Sequence, residues 1–351
     1  MKYNKLGESN IKVSELCLGS MTWGEASSEE IGHWQLDASI DNGINFVDTA
    51  EMYPTNPMRR ETAGRTEKII GNWIKKRKRR NDIVIATKIT GSGSKTVRKG
   101  EAISSNQIIK SIEESLLSLR TDYIDLYQLH WPNRGSYHFR KYWNFDPSEQ
   151  SSVEMENHVS EVLETLSKLV KEGKIRTIGL SNESAWGTMK FIEIARRMGY
   201  SKIVSIQNEY SLLCRLFDTD LSELCHHENI GLLAFSPLGA GLLTGKYQDK
   251  KIPKGSRLEV TSEVTPGLSG RIGPNTFNAV NAYLDIAEKH NIDPVHLALA
   301  FCTSRPFMAS VIFGATSKSQ LSHILNGLNL TLSAEVLSEI NDVNRHHPMP
   351  I

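Results

Sequence analysis

The stretch IVIATK, residues 83–88, decides which fold the chain adopts. It is a run of apolar and β-branched residues that ends in Lys88. A continuous run of this kind is typical of a strand buried on both faces in a parallel sheet. Residues 104–119 follow it and carry apolar side chains at helical spacing, which predicts a helix. One buried strand followed by one amphipathic helix is the unit from which α/β folds are built.

The same unit recurs along almost the whole sequence. A second helix is predicted over residues 159–171, ending before Gly173. Eight strands in this rhythm predict an α/β fold, a (β/α)₈ TIM barrel, in a single domain over residues 1–351. An open doubly wound sheet is the alternative, but it requires a G-x-G-x-x-G turn that the chain lacks. The other predicted strands are ELCLGS (15–20), INFVDT (44–49), IDLYQLH (124–130), IRTIGLSN (175–182), IVSIQN (203–208), GLLAFSP (231–237) and ASVIFGAT (309–316).

Four segments fall outside this rhythm. YNKLGESNIKVSE, near the N-terminus, predicts a hairpin that turns at residues 7–10 and caps one end of the barrel. Residues 54–65, 132–157 and 245–274 are long insertions, and we expect them at the C-terminal mouth, since long loops in compact domains are commonly functional. The aromatic stretch YHFRKYWNF, residues 137–145, predicts either a lid over the mouth or a loop packed on its own hydrophobic cluster.

Charge and cysteine content narrow the class of protein. Lys and Arg number 41 and Asp and Glu number 40, which gives no electrostatic reason to expect nucleic acid or a membrane as partner. The basic run KKRKRR, residues 75–80, is interpreted as a solvated helix end. The four cysteines show no CxxC spacing and no signal peptide precedes them, which predicts buried thiols in a cytoplasmic protein.

Ionisable side chains stand where several predicted strands end. Asp48, Lys88 and His130 end three of them, and Tyr53 follows Asp48 across a turn. Because strand ends converge at the C-terminal mouth of a barrel, we expect these four side chains to meet there. A phenol has a pKa near 10, and an ammonium such as that of Lys88 stabilises its phenolate, while Asp48 holds the lysine charged. Such a tyrosine can protonate a carbonyl oxygen as a hydride reaches the carbon, so a hydride donor is required.

These residues lie in segments that resemble the aldo-keto reductase family. VDTAEMY (47–53), ATK (86–88) and LHWP (129–132) are similar to its Asp, Tyr, Lys and His motifs. GLSN (179–182), IQNEYS (206–211), FSPLGAGLLTGKY (235–247) and FGATSKSQL (313–321) resemble its cofactor-binding motifs in the same order. AEMYP, the insertion after it and GNW look most like the Tas-type bacterial branch.

The resemblance implies NADPH-dependent reduction of aldehydes and ketones, with Tyr53 as general acid. It implies that Lys246 and Arg257 grip the 2′-phosphate, and that Ile324, where relatives often carry Asn, weakens the adenine contact. Trp23 and Trp131 are predicted to line the substrate pocket. The implied cofactor-binding residues are Gly19, Met21, Thr22, Ser181, Asn182, Gln207, Phe235, Ser236, Leu238, Gly241, Lys246, Arg257, Gly314, Thr316, Ser317 and Gln320.

Two other classes compete with a reductase. The family's fold also forms slow-turnover, cofactor-binding regulatory subunits of channels, which keep the same four residues. A barrel metallohydrolase would need an H-x-H or similar ligand cluster at the strand ends, and none is present in the sequence, so no metal site is predicted there. The sequence predicts a small carbonyl compound as substrate but not its identity, the reaction direction or the oligomeric state.

Overall fold

A closed barrel of eight parallel strands forms the centre of the molecule, in a computed structural model that describes residues 1–351. The barrel strands neighbour one another in chain order, every neighbouring pair is parallel, and the last strand, residues 308–313, closes the barrel by pairing with the first, residues 16–19. The predicted TIM barrel and all eight predicted strands are therefore confirmed, and the open-sheet alternative is wrong. The strands are β1 Tyr3–Lys5, β2 Lys12–Ser14, β3 Leu16–Gly19, β4 Phe46–Asp48, β5 Val84–Ile89, β6 Ile124–Leu129, β7 Ile175–Ser181, β8 Ile203–Glu209, β9 Gly231–Phe235 and β10 Met308–Phe313.

Helices connect the strands and cover the outside of the barrel. The predicted helix over residues 104–119 is α3, Ser105–Leu119, and the one predicted over 159–171 is the C-terminal part of α4, Ser152–Lys171. Helix α4 begins seven residues earlier than predicted because Ser151 accepts a hydrogen bond from the backbone N–H of Glu154 and caps it. The helices are α1 Glu29–Asp41, α2 Arg65–Arg77, α3 Ser105–Leu119, α4 Ser152–Lys171, α5 Ala185–Met198, α6 Asp220–Glu228, α7 Arg257–Val260, α8 Pro266–Gly270, α9 Thr276–Lys289, α10 Pro294–Thr303, α11 Lys318–Asn326 and α12 Ala334–His346.

The N-terminal hairpin closes one end of the barrel, as predicted. Strands β1 and β2 pair antiparallel, and Leu6, Ile11 and Val13 pack against apolar side chains that point into the barrel. Gly7 has a φ of +57°, and a Cβ there would lie 2.5 Å from the carbonyl oxygen of Val204. The hairpin therefore needs glycine at this turn to approach the barrel so closely.

The prediction about the cysteines is confirmed, whereas the one about the basic run is wrong in part. All four cysteines are buried and unpaired, as predicted. The interpretation of residues 75–80 as a solvated helix end is wrong for Arg80, whose largely buried guanidinium lies 2.8 Å from Asp125. Arg77 and Arg79 also form ion pairs, with Asp37 and Asp82. None of the helices combines the length and apolar character needed to cross a membrane.

Candidate active site

Three consecutive barrel strands bring Asp48, Lys88 and His130 together at the C-terminal mouth. Asp48 is the last residue of β4, Lys88 lies near the end of β5, and His130 follows β6 directly. The turn after β4 carries Tyr53 to the same place, where its ring meets the His130 ring edge-to-face with centroids 5.9 Å apart. All four residues are buried. The predicted convergence of these side chains is therefore present in the structure.

The ammonium group of Lys88 is the centre of this group. Its Nζ donates to Asp48 Oδ2 at 2.7 Å, to the backbone oxygen of Thr49 at 2.7 Å and to Tyr53 Oη at 3.3 Å. An ammonium has three N–H donors, so each has an acceptor. This arrangement holds the phenol of Tyr53 beside a buried positive charge.

Burial and charge together set the protonation of these residues. Burial raises the pKa of Tyr53 above its usual value, and the opposing effect of Lys88 is smaller. Burial opposes the charge on Lys88, but the neighbouring Asp48 and Tyr53 together raise the pKa of that lysine. Burial, with a contribution from Lys88, holds the pKa of His130 well below its usual value. At neutral pH Tyr53 is therefore protonated, His130 is neutral and Lys88 is charged. Lys88 lowers the pKa of the Tyr53 phenol, which is the predicted direction, but burial raises that pKa by more.

Two glutamine side chains complete the hydrogen bonding of Asp48 from across the barrel. Gln207 Nε2 donates to Asp48 Oδ1 at 2.8 Å, and Gln128 Nε2 lies 3.5 Å from the same oxygen. Strands β6 and β8 do not neighbour β4, so these contacts cross the barrel interior. Gln128 was not predicted from the sequence, although a buried amide within the apolar run of β6 was a signal that could have found it. Gln207 was predicted to contact the nicotinamide, whereas its amide N–H group here donates to Asp48.

Next to His130 lies the pair predicted to hold the carboxamide of a nicotinamide. Ser181 Oγ donates to the backbone oxygen of Gln207 at 2.8 Å, and Asn182 Nδ2 donates to the backbone oxygen of His130 at 2.9 Å. Asn182 Oδ1 is buried and accepts no hydrogen bond. A buried acceptor without a donor costs free energy, so this oxygen fits the NH₂ group of a carboxamide.

A cluster of guanidinium groups surrounds one carboxylate at the end of β8. Glu209 pairs with Arg140 and, at 2.8 Å, with Arg271, which also donates to Ser236 Oγ at 3.2 Å. Burial would raise the pKa of Glu209, but these two positive charges hold it below its usual value. This triad was not predicted from the sequence, since Arg140 and Arg271 lie in insertions that carry no recognisable motif.

Two cations that were predicted to bind a phosphate have no carboxylate partner. Arg257 forms no ion pair, and burial together with the charge of Arg271 lowers its pKa to about 10. The Lys246 Nζ lies 5.0 Å from the centre of the Tyr247 ring. It also lies beside Gly241, where a Cβ would be 3.0 Å from that nitrogen. The positive charge at this side of the mouth exceeds the negative charge, which fits an anionic ligand.

The predicted phosphate-binding segments follow β9 and β10. Ser236 and Gly241 have φ values of +56° and +98°, so the chain after β9 runs through left-handed turns next to Phe235 and Leu238, which are half-buried. After β10, Ser317 caps α11 by accepting from the backbone N–H of Gln320. Such turns and helix starts present N–H groups suited to phosphates.

The remaining predicted contacts divide between the mouth and the core. Gln320 Oε1 accepts from the backbone N–H of Thr316 at 2.8 Å and so holds the loop before α11.

Met21 packs against the cluster that contains Tyr53, while Thr22 is buried nearby. Gly19 and Gly314 lie close together, since a Cβ on Gly314 would be 3.8 Å from the Gly19 oxygen. Ile324 is buried in the core.

Only one of the two tryptophans predicted for the substrate pocket lies at the mouth. Trp131 is half-buried, with its ring 5.0 Å from the His130 ring and 6.2 Å from that of Phe139 in the second insertion. The prediction for Trp23 is wrong: its side chain is fully buried, and its indole N–H donates to Gln35 Oε1 at 2.9 Å. The chain turns after β3 so that Trp23 packs against α1, where Gly32 leaves room for its ring.

Known proteins resemble this chain along most or all of its length. The model of the Aldo/keto reductase family matches residues 15–345. "Protein tas" of Escherichia coli is 41% identical over 353 residues, covering 100% of this chain and 99% of that protein. An "Aldo-keto reductase" of Babesia bovis is 35% identical over 76% of this chain and 95% of its own length. A "Probable voltage-gated potassium channel subunit beta" of Arabidopsis thaliana is 30% identical over 99% of this chain and 98% of its own length.

The family match, the barrel and the residues at its mouth agree with one another. Aldo/keto reductases generally use nicotinamide cofactors, and the unpartnered Asn182 oxygen and the unpaired cations Lys246 and Arg257 fit such a ligand. The full-length identity to "Protein tas" is the highest of the three. This chain is therefore an oxidoreductase that belongs to the aldo/keto reductase family, in its Tas-type branch.

Proposed function

We propose that this protein reduces aldehydes or ketones to alcohols with NADPH and that Tyr53 donates the proton. The observation that carries the proposal is the position of the Tyr53 hydroxyl, which is 3.3 Å from a charged, buried Lys88 and is itself protonated at neutral pH. A neutral phenol is a proton donor, and the adjacent ammonium stabilises the phenolate that remains after transfer.

The other three residues support this proton transfer. NADPH, when bound, supplies the hydride that becomes bonded to the carbonyl carbon. Tyr53 gives the proton of its Oη to the carbonyl oxygen, and the product is an alcohol. Asp48 holds Lys88 charged through the 2.7 Å contact. His130 is neutral, so it can donate one ring N–H to the carbonyl oxygen without competing as an acid.

The choice of NADPH over NADH rests on charge. Arg257 and Lys246 have no carboxylate partner, and Arg257 lies close enough to Arg271 for repulsion to lower its pKa. An additional phosphate would neutralise positive charge that the chain leaves uncompensated. NADH lacks the 2′-phosphate, so it cannot use this part of the site.

The first test replaces the proton donor. Tyr53→Phe should lower NADPH-dependent reduction of 4-nitrobenzaldehyde by at least about 100-fold, since general acid catalysis contributes 10²–10⁴-fold. NADPH affinity, measured by fluorescence titration, should stay within about twofold, because the hydroxyl is assigned to the chemical step. Equal turnover by the variant and the parent protein would contradict the assignment of Tyr53.

A second test separates the two cofactors. Arg257→Ala should weaken NADPH binding by about 10- to 100-fold, the range for loss of a charged hydrogen bond, and NADH binding by less than about threefold. Lys254→Ala, in the same loop but exposed, is the matched control and should change neither affinity. An equal loss for NADPH and NADH would remove the 2′-phosphate role of Arg257.

A regulatory, cofactor-binding subunit is the second candidate, favoured by the 30% identity to the potassium channel beta subunit of Arabidopsis. It predicts that NADPH binds but is consumed slowly with every aldehyde, ketone and quinone of a broad panel. Steady-state NADPH oxidation over that panel distinguishes the two functions. Rapid turnover with any member supports the reductase.

A further inference from the structure

A cluster of two histidines and one aspartate lies on the outside of the barrel, away from the tetrad formed by Asp48, Tyr53, Lys88 and His130. Asp293 precedes helix α10, His296 is in the first turn of that helix, and His323 is in the last turn of α11. We call these three residues the His₂Asp cluster. All three side chains are partly exposed to solvent, at 33%, 16% and 47% in that order, so an ion can reach them.

The three side chains face a common point. One potential ligand atom from each residue lies within 4.8 Å of those of the other two. His323 Nε2 is 3.1 Å from Asp293 Oδ1, and His296 Nδ1 is 3.9 Å from the same oxygen. The two imidazole rings lie nearly parallel, with centroids 5.0 Å apart. To bind one ion the side chains need only small shifts, and the proton that His323 Nε2 donates to Asp293 Oδ1 passes to His323 Nδ1 or to solvent.

A hydrogen bond fixes which nitrogen of His296 is available. His296 Nε2 lies 2.7 Å from the backbone oxygen of His323, which can only accept, so Nε2 carries the proton. The lone pair is then on Nδ1, which faces Asp293. Metal-binding histidines are commonly oriented by such a bond from the other ring nitrogen to a carbonyl. Gly327 leaves room for the His296 ring, because a Cβ at position 327 would be 2.1 Å from a carbon of that ring.

The carboxylate of Asp293 is also held in place. Its Oδ1 caps helix α10 by accepting from the backbone N–H groups of Val295 at 2.9 Å and His296 at 3.2 Å. Its other oxygen, Oδ2, forms no hydrogen bond within the chain. Asp293 can therefore bind an ion through Oδ2 without giving up its capping role.

We propose that the His₂Asp cluster binds a late first-row divalent metal ion of the Zn²⁺ class, with water in the remaining position. Two imidazole nitrogens and one carboxylate oxygen form a ligand set that suits Zn²⁺, and these ligands favour it over Mg²⁺ or Ca²⁺. The bound ion links the start of α10 to the end of α11. Binding to the folded state alone stabilises that state by mass action.

A second cluster on the surface is a poorer candidate. His290, Glu335 and Glu339 also offer three ligand atoms within 4.8 Å. The ammonium of Lys289 already lies 2.7 Å from Glu339 Oε1, and the His290 ring contacts both oxygens of the same carboxylate at 3.2 Å. A metal ion would have to displace that ammonium, so this cluster serves as an internal comparison.

The test uses the full-length chain without an affinity tag, after removal of metal with a chelator. Calorimetric titration should show one equivalent of Zn²⁺ bound, and Co²⁺ should give the visible absorption of a site with nitrogen and oxygen ligands. Zn²⁺ at about 100 times the dissociation constant should raise the melting temperature by several degrees.

Four variants assign the binding to the residues. His323→Gln and Asp293→Asn should each weaken Zn²⁺ binding by at least about tenfold and remove the Co²⁺ spectrum. Asp293→Asn is informative because asparagine caps helices as well as aspartate but lacks the charge. His226→Ala, at an exposed site on α6, and His290→Ala should leave binding unchanged. NADPH oxidation and circular dichroism should match the parent in all four.

Two results would overturn the proposal. One is the absence of saturable Zn²⁺ and Co²⁺ binding. The other is binding that survives both His323→Gln and Asp293→Asn but is lost in His290→Ala, which would place the ion in the second cluster.

Discussion

The two ends of the barrel are closed by different kinds of side chain. At the N-terminal end Leu6, Ile11 and Val13 of the hairpin pack on apolar side chains inside the barrel. At the C-terminal end the barrel interior holds the charged pair Asp48–Lys88, and two glutamines hydrogen-bond to that aspartate. The barrel thus changes from an apolar to a polar interior along its axis.

The difference shows how stability and chemistry are divided between the ends. Fully burying a leucine side chain contributes about 1.5–3 kcal/mol to folding. A buried ion pair contributes little net stability, because the cost of removing both charges from water offsets their attraction. The hairpin end therefore stabilises the barrel, while the polar end is suited to proton transfer.

The largest expected effect comes from breaking the charged pair at the polar end. Lys88→Met should lower turnover by about 10²–10⁴-fold, because the phenolate of Tyr53 loses its ammonium. It should also lower the free energy of unfolding by about 3–5 kcal/mol, because Asp48 remains as a buried, uncompensated charge. Steady-state NADPH oxidation and urea unfolding measure the two effects.

The double variant Asp48→Asn, Lys88→Met separates stability from catalysis. It removes both charges, so it should regain much of the lost free energy of unfolding without regaining turnover. Recovery of turnover in the double variant would show that the charged pair is not needed for the chemistry.

At the apolar end a substitution should have the opposite profile. Leu6→Ala should lower the free energy of unfolding by about 2–4 kcal/mol, since it leaves a cavity between hairpin and barrel. Turnover of the folded enzyme should be unchanged. Leu117→Ala, at a leucine on α3 that is 79% exposed, is the control and should cost less than about 0.5 kcal/mol. A large loss of turnover in Leu6→Ala would mean that the two ends are coupled.

A buried carboxylate outside the barrel interior, that of Glu67, lacks the kind of ion pair that Lys88 forms with Asp48. Glu67 of α2 has no cation beside it and accepts from the Thr87 hydroxyl at 2.6 Å, and burial raises its pKa to about 7. Because its unfolded pKa is near 4.5, the folded state holds the extra proton between those values, and stability falls as pH rises through that window.

Glu67→Gln should therefore remove about 2–3 kcal/mol of this pH dependence and be more stable than the parent at pH 8. Urea unfolding between pH 5 and pH 8 measures it. Glu61→Gln, at an exposed position, should leave the pH dependence of the parent intact. If Glu67→Gln kept the full pH dependence of the parent, the fall in stability would have to come from another group.

Local patterns in the sequence predicted the barrel and the tetrad well. Strands such as β5 carry their apolar runs in consecutive residues, and Asp48, Lys88 and His130 stand at strand ends whose meeting point follows from the barrel itself. Trp23 was misplaced because a position just past a strand does not determine which way the next turn points.

The same local patterns could not predict contacts between segments that are far apart in the sequence. Arg140 and Arg271 are 69 and 62 residues from Glu209, in insertions whose path no local signal determines. The His₂Asp cluster has the same origin, since His296 and His323 are 27 residues apart and meet only because the start of α10 lies against the end of α11.

The position of Glu209 has a consequence for exchanging loops between this protein and its relatives. This carboxylate, on the last residue of β8, anchors the second insertion through Arg140 and the third through Arg271. Exchanging one insertion for a segment that lacks its arginine removes one guanidinium from Glu209 and so changes the surroundings of the arginine in the other insertion. The two insertions and Glu209 therefore form a single unit. In a loop exchange with a relative, both insertions and the residue at position 209 should be transferred together.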